Sequence, residues 1–197
     1  SGNEVLMVVA NPADKTMWYN RYNGTQWFGP APIGRSYGTE YQIFGICRSP
    51  LDGSVYAPAN SNSDTVSLLR YDGAWTSADI ESPGFYARQS VAVNASGQIM
   101  LCYEKDSVWL GKLYSPGAGW GATQTIRTQA GFGSVIAIPG TSDFYTAYSQ
   151  GSTPRRIRGK RFSGGVWGTE EVISGGLPDA QALDARVAIA PDGTMLC

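Results

Sequence analysis

Two stretches of the chain end in the same dipeptide, Ala87-Arg88 and Ala185-Arg186, each at the start of an apolar run. Both arginines have groups nearby in sequence that can bind or ionise. Tyr86 precedes Arg88 by two residues, Asp184 precedes Arg186 by two, and an earlier loop carries Glu40 and Tyr41. A pair of arginines can hold a carboxylate through two-pronged hydrogen bonds, and a tyrosine ring can carry the apolar face of a small cyclic ligand. Arg88, Arg186, Tyr41, Tyr86, Glu40 and Asp184 are therefore the candidate ligand-binding residues. The competing reading is that these arginines bridge neighbouring elements through Asp184, Glu40 or main-chain carbonyls.

Other chemistry is excluded by composition. The chain has no histidine, which removes Ser-His-Asp and Cys-His nucleophile systems, imidazole bases and His-ligated metals. Cys47, Cys102 and Cys197 show no CxxC spacing, and the first two sit in apolar runs, so they read as small core residues. No residue pattern calls for a metal or another cofactor, and no residue is assigned a catalytic role. With 15 Lys and Arg against 16 Asp and Glu, the net charge of −1 argues against nucleic acid as a partner. No apolar run approaches the roughly eighteen residues a membrane helix needs, so no membrane insertion is expected. Ser1-Gly2-Asn3-Glu4 lacks the pattern of a leader, which leaves the compartment open.

The elements that must position these residues emerge from an internal repeat. Trp27, Trp75, Trp120 and Trp167 recur at intervals of 45 to 48 residues, and each follows a basic residue, an aromatic and a glycine turn. The four copies are Arg21-Tyr22, Arg70-Tyr71, Lys112-Leu113-Tyr114 and Arg161-Phe162, and they close at Ile33, Ile80, Ile126 and Ile173. Upstream of each Trp lies a second motif, two apolar runs joined by a turn such as Asn94-Ala95-Ser96-Gly97 or Pro191-Asp192-Gly193. The runs are strand-length, bounded by turn residues and free of helical periodicity. Each unit reads as four short antiparallel strands, and a period of about 47 residues with four strands per unit predicts an all-β fold, a β-propeller of about four four-stranded blades.

The whole chain, 1–197, reads as one domain with repeat units at approximately 1–33, 34–80, 81–126 and 127–173. The N-terminal unit enters at a second strand, Val5 to Ala10, and the segment 174–197 offers Arg186 to Ala190 as the strand that closes it. Gly193 to Cys197 then begins a second strand too many. A surplus tail, a piece of a larger propeller and a ring built from several chains, a homo-oligomer, all fit this count.

The unit from Val91-Ala92-Val93-Asn94-Ala95-Ser96-Gly97 to Gly119-Trp120 resembles the repeat of sialidase-like propellers, the BNR or Asp-box type. Asn23-Gly24-Thr25-Gln26-Trp27 and Asp72-Gly73-Ala74-Trp75 are similar to the tail of an Asp-box, although the preceding Ser-x-Asp is absent from every copy. The resemblance implies a non-catalytic binding module that recognises a glycan or cell-surface carbohydrate, at an extracellular, cell-surface or virion location. The alternatives are a sialidase-type glycoside hydrolase and a structural or protein-interaction propeller, such as part of a phage tail fibre. The hydrolase would need a third arginine, and the Phe132-Gly133-Ser134 segment does not supply one.

Two further features have competing readings. The repeated tryptophans are either sugar-stacking platforms or packing between blades, and packing is the commoner fate of a periodic large aromatic. Arg155, Arg156, Arg158, Lys160 and Arg161 form a basic cluster that either grips an anionic polymer or lies at a solvated hairpin tip.

Overall fold

The computed structural model describes residues 5–11, 16–36, 45–61, 65–81, 86–150, 156–174, 185–190 and 194–196, with the backbone course alone at 10, 34–36, 61, 86–87 and 195–196. The described residues form strands and turns, and no helix among them is long and apolar enough to cross a membrane. The first blade is β1 (Val5–Asn11), β2 (Thr16–Tyr22) and β3 (Trp27–Ser36), paired in that order. The second is β4 (Cys47–Arg48), β5 (Val55–Ser61), β6 (Thr65–Tyr71) and β7 (Trp75–Glu81).

In the third, β8 (Tyr86–Val93), β9 (Ile99–Lys105) and β10 (Val108–Ser115) are followed by an interrupted fourth strand, β11 (Gly119–Trp120) and β12 (Gln124–Thr128), both on β10. The fourth repeats this plan with β13 (Ala130–Ala137), β14 (Phe144–Gln150), β15 (Ile157–Ser163), β16 (Val166–Trp167) and β17 (Glu171–Val172). The expected all-β, four-blade architecture is the one observed. A last hairpin, β18 (Ala188–Ile189) and β19 (Met195–Leu196), follows. The expected closing strand is thus β18, and it hydrogen-bonds to β19. Among the described residues neither strand joins the first blade, and the stretch after Gly193 is a true second strand.

The repeated aromatic-turn-Trp motif has a local physical cause. Tyr22 stands opposite Trp27, Tyr71 opposite Trp75 and Tyr114 opposite Trp120, while Phe162 stands opposite Trp167. Their ring centroids lie 5.4, 5.2, 5.4 and 5.1 Å apart, so each pair clasps the hairpin between the third and fourth strands. The glycine of the turn supplies the positive φ that the tight reversal requires, as at Gly73 with φ 108°.

The core lies between blades. Met17 of the first blade packs with Ala57, Ala59 and Leu69 of the second. Tyr56, Val66 and Leu68 of the second meet Ile99, Leu101 and Tyr103 of the third. Met100, Cys102 and Trp109 of the third meet Phe144, Tyr148 and Phe162 of the fourth. Tyr145 and Ala147 of the fourth then meet Ala185 and Val187. The second and third blades therefore each turn one face to the blade before and the other to the blade after.

The first strands of successive blades are stitched by serines. The N–H of Val135 donates to Ser90 Oγ at 3.0 Å, and the N–H of Val187 donates to Ser134 Oγ at 2.8 Å, both buried. This seam aligns Arg186 with Ser134 and Ser90, so the residue matching Arg186 in the third blade is Ser90. Arg88 lies two residues earlier, at a β-bulge between Ala87 and Gln89 with φ 51°, a left-handed conformation that a non-glycine residue adopts under strain.

Candidate functional site

Two clefts flank the second blade, and the turn between β4 and β5 forms a wall of both. Ser49 and Ser54 close this turn through Ser49 N–H to Ser54 O at 2.8 Å, with Gly53 at φ 75°. The turn fixes Asp52: its carboxylate accepts from Ser54 N at 3.0 Å and Ser54 Oγ at 2.9 Å. Hydrogen bonding to Ser49 first, and to Ser54 and Arg70 besides, outweighs burial and holds the Asp52 pKa down to about 2. Asp52 is a carboxylate at any physiological pH.

Arg70, on β6, lies against it. Its guanidinium reaches Asp52 at 3.1 Å, Asp72 at 3.1 Å and Ser54 Oγ at 3.0 Å. The ion pairs are half exposed, so they contribute little to stability. Their chemical value lies in the presentation of fixed donors beside fixed acceptors at a cleft edge.

The larger cleft, about 380 Å³, opens between the second and third blades. Leu68 and Ile80 line it from one side, and Ile99, Tyr114 and Trp120 from the other, with Arg70 and Asp52 at its polar end. Tyr114 and Trp120 are partly buried, so ring area remains open to the cleft. An apolar aromatic wall beside an Arg-Asp pair can take a ligand with one apolar face and an edge of hydroxyl groups. The smaller cleft, about 310 Å³, lies between the first and second blades and is more polar, with Arg21, Arg48, Asp52 and Asp72 in its lining.

The candidate residues from the sequence are placed as follows. Arg88 donates to Glu104 at 2.8 Å, and its guanidinium sits 3.0 Å from the ring centroid of Phe132 on the fourth blade. It therefore links the third blade to the fourth. Arg186 is exposed. Tyr41, Glu40 and Asp184 lie outside the described residues, and Tyr86 is described by its backbone in β8 alone. The sequence missed the clefts because their walls come from residues far apart in the chain, such as Arg70 and Trp120.

The other sequence features resolve. Trp75 packs on Tyr71 and on Tyr19 of the preceding blade, at 5.2 and 5.7 Å, and Trp167 packs against the core between the third and fourth blades. Trp120 serves both packing and cleft, and Trp27 stays largely exposed. Arg70 and Arg161 pair within their own blades, with Asp52 and Asp143. Lys112 does not match them: the register puts Leu113 in the Arg70 position, and Lys112 instead reaches back to Glu81 of the second blade at 2.7 Å. In the basic cluster, Arg158 bonds Gln150 and Glu170, Lys160 bonds the Ile126 carbonyl and Arg161 bonds Asp143, while Arg155 lies outside the described residues. Cys47 and Cys102 are not reactive thiols, since burial pushes the first up to about 12 and the second higher still. Among the described residues no acidic, Cys or His group is arranged to hold a metal ion.

No protein-family model and no curated protein matches the chain. Solved structures do. AofleA from Arthrobotrys oligospora superposes with a TM-score of 0.61 at 15% identity, over 88% of this chain and 57% of that one. The fucose-specific lectin from Aleuria aurantia gives 0.61 at 13% identity, over 98% and 72%. A mutant of NanB sialidase from Streptococcus pneumoniae gives 0.66 at 10% identity, over 91% and 32%. This chain thus spans little more than half of AofleA's length. At such identities the likeness bears on the fold, and it agrees with the sheet topology: the chain is an all-β propeller with four blades in its described sheets.

Proposed function

We propose that this propeller is a non-catalytic carbohydrate-binding module that takes a sugar ring in the cleft between the second and third blades. The observation that carries the reading is the junction of an aromatic wall, Tyr114 and Trp120, with the fixed Arg70-Asp52 pair at its edge. The ring's C–H face would stack on the aromatic wall, and neighbouring hydroxyls would bond the guanidinium and the carboxylate. The fold likeness to a fucose-specific lectin supports a sugar ligand, and recognition of glycans on a cell or virion surface fits the same reading. The test is a glycan array followed by titration of the best ligand. Trp120→Ala should weaken binding about tenfold or more with the fold intact. Unchanged affinity would remove the cleft as the site.

Arg88, Arg186 and the loop residues named with them make a second site to test, because Arg186 is exposed at the start of a first strand. A ligand held there would be lost in both Arg88→Ala and Arg186→Ala and retained in Trp120→Ala. Turnover of a fluorogenic sialoside that vanishes in Tyr41→Phe would favour the sialidase alternative. A protein that binds no sugar at all would favour the structural one.

A further inference from the structure

Among the described residues, the first blade carries an interface face on which no other blade packs. In every later blade, the side bearing the repeated tryptophan packs on the blade before it. Trp75 meets Tyr19, Trp120 joins the cluster of Tyr56 and Leu68, and Trp167 joins that of Met100 and Trp109. Pairing across the strands identifies the same side of the first blade. Val5 stands opposite Tyr22, which stands opposite Trp27, and Met7 and Val9 share that face by alternation. The other side, with Val8, Met17 and Ile33, is spent on the second blade.

On the free side Val5 is 48% exposed, Met7 45%, Val9 42% and Trp27 54%. Their counterparts are closed: Ile99 is 4% exposed, Leu101 0% and Tyr103 0% in the third blade, and Phe144 and Tyr148 are both 0% in the fourth. A contiguous apolar sheet face of this kind marks an interaction site. The last hairpin, β18–β19, does not pair with the first blade, and among the described residues this face stays exposed.

We propose that the Val5, Met7, Val9 and Trp27 face docks a second copy of this chain, against the forward-facing side of that copy's last blades. The internal junctions supply the reason for this orientation: three times over, a tryptophan-bearing face is covered by the opposite face of a neighbour and never by its own kind. The contact is therefore head to tail. Such heterologous contacts either close into a ring or grow into an open filament. The glycan clefts would then be repeated around the assembly, a gain in avidity that needs no new contact.

Light scattering coupled to size exclusion tests the proposal on the intact chain over a range of concentrations. The wild-type chain should run as a multiple of its 21.1 kDa mass, and Met7→Lys and Val9→Lys should each return it to one chain with unchanged circular dichroism. Both side chains are exposed in the single chain, so neither substitution threatens its folding. Ile46→Lys, at an apolar position that is 43% exposed just before β4 of the second blade, should leave the mass of the assembly unaltered. A wild-type chain that stays monomeric at the highest soluble concentration overturns the proposal. An assembly that survives Met7→Lys and Val9→Lys, or one that Ile46→Lys also dissolves, overturns it equally.

Discussion

The junction between the second and third blades and the junction between the third and fourth solve one packing problem with opposite parts. At the first, Glu81 at the end of β7 accepts from Lys112 at 2.7 Å and Thr123 at 3.0 Å, and Thr123 lies 3.3 Å from the Tyr103 hydroxyl. At the second, Arg127 holds the place of Glu81, and Glu170 that of Thr123. Arg127 and Arg158 both donate to Glu170 at 2.8 Å, and Tyr148, the counterpart of Tyr103, donates to it at 2.7 Å. The sign of the charge on the leading blade is reversed and the latch is kept.

Volume is exchanged in the same way. Trp109 lies against Gly133, where an added Cβ would come within 2.9 Å of the indole and 2.8 Å of the Ala147 carbonyl. The positions of Trp109 and Gly133 are taken at the other junction by Val66 and Gln89. Large on one side and absent on the other is replaced by medium on both, and Gln89 bonds Asn60 of the second blade. Further out, Leu113 and Trp167 pack on the core of the later junction, whereas Arg70 at the equivalent of Leu113 leaves the earlier one an open, polar-edged cleft. The exchange of Leu113 for Arg70, beside these others, distinguishes a closed junction from one that keeps a cleft.

The largest effect that would break this comparison is Trp109→Ala. The indole is fully buried, and its Nε1 donates to Thr146 Oγ1 at 3.0 Å, so the loss should be about 3–5 kcal/mol by chemical denaturation. Val66→Ala should lose only about 1–2 kcal/mol, since it removes two methyl groups. Equal losses would mean that the two junctions are not complementary solutions. Gly133→Ala should cost about 1–3 kcal/mol by overpacking against Trp109, and the cost should shrink in a Trp109→Val background. Additive effects would contradict the volume exchange.

The latches should respond to acid. Burial alone would raise the Glu170 pKa, but the Tyr148 hydrogen bond and the charges of Arg127 and Arg158 hold it below the usual 4.5. Glu81 is lowered likewise, burial being outweighed by Lys112 and Thr123. A depressed carboxylate contributes stability that is full above its unfolded value and is lost as pH falls through the folded one. Wild-type stability should therefore drop on acidification below 4.5, and Glu170→Gln should be less stable near neutrality but flatter across that range. Parallel pH profiles for the two proteins would refute the latch.

Much of this architecture was legible because turn glycines and cross-strand aromatics repeat within local windows of a few residues. The strand beginning at Val5 followed from that pattern, and so did the hairpin at Asn94 to Gly97. What the sequence concealed depends on register. The bulge beside Arg88 breaks the apparent match of Ala87-Arg88 with Ala185-Arg186, since the serine seam aligns Arg186 with Ser90. Lys112 fell into the wrong column of the repeat because the Lys-Leu-Tyr and Arg-Tyr spacings differ by one residue, which in a strand reverses the face. Partners such as Arg127 and Glu170, drawn from different blades, carry no local signal.

The central claim is that ligand enters the junction that keeps its cleft and leaves its neighbour undisturbed. A nitrogen–proton correlation spectrum of the protein, titrated with the best-binding sugar from the array, tests it directly through the indole N–H signals. The account predicts that the Trp120 signal shifts saturably while that of Trp109, sealed in the next junction, stays in place. Saturable binding that moves neither Trp120 nor the Arg70 side-chain signal would contradict it.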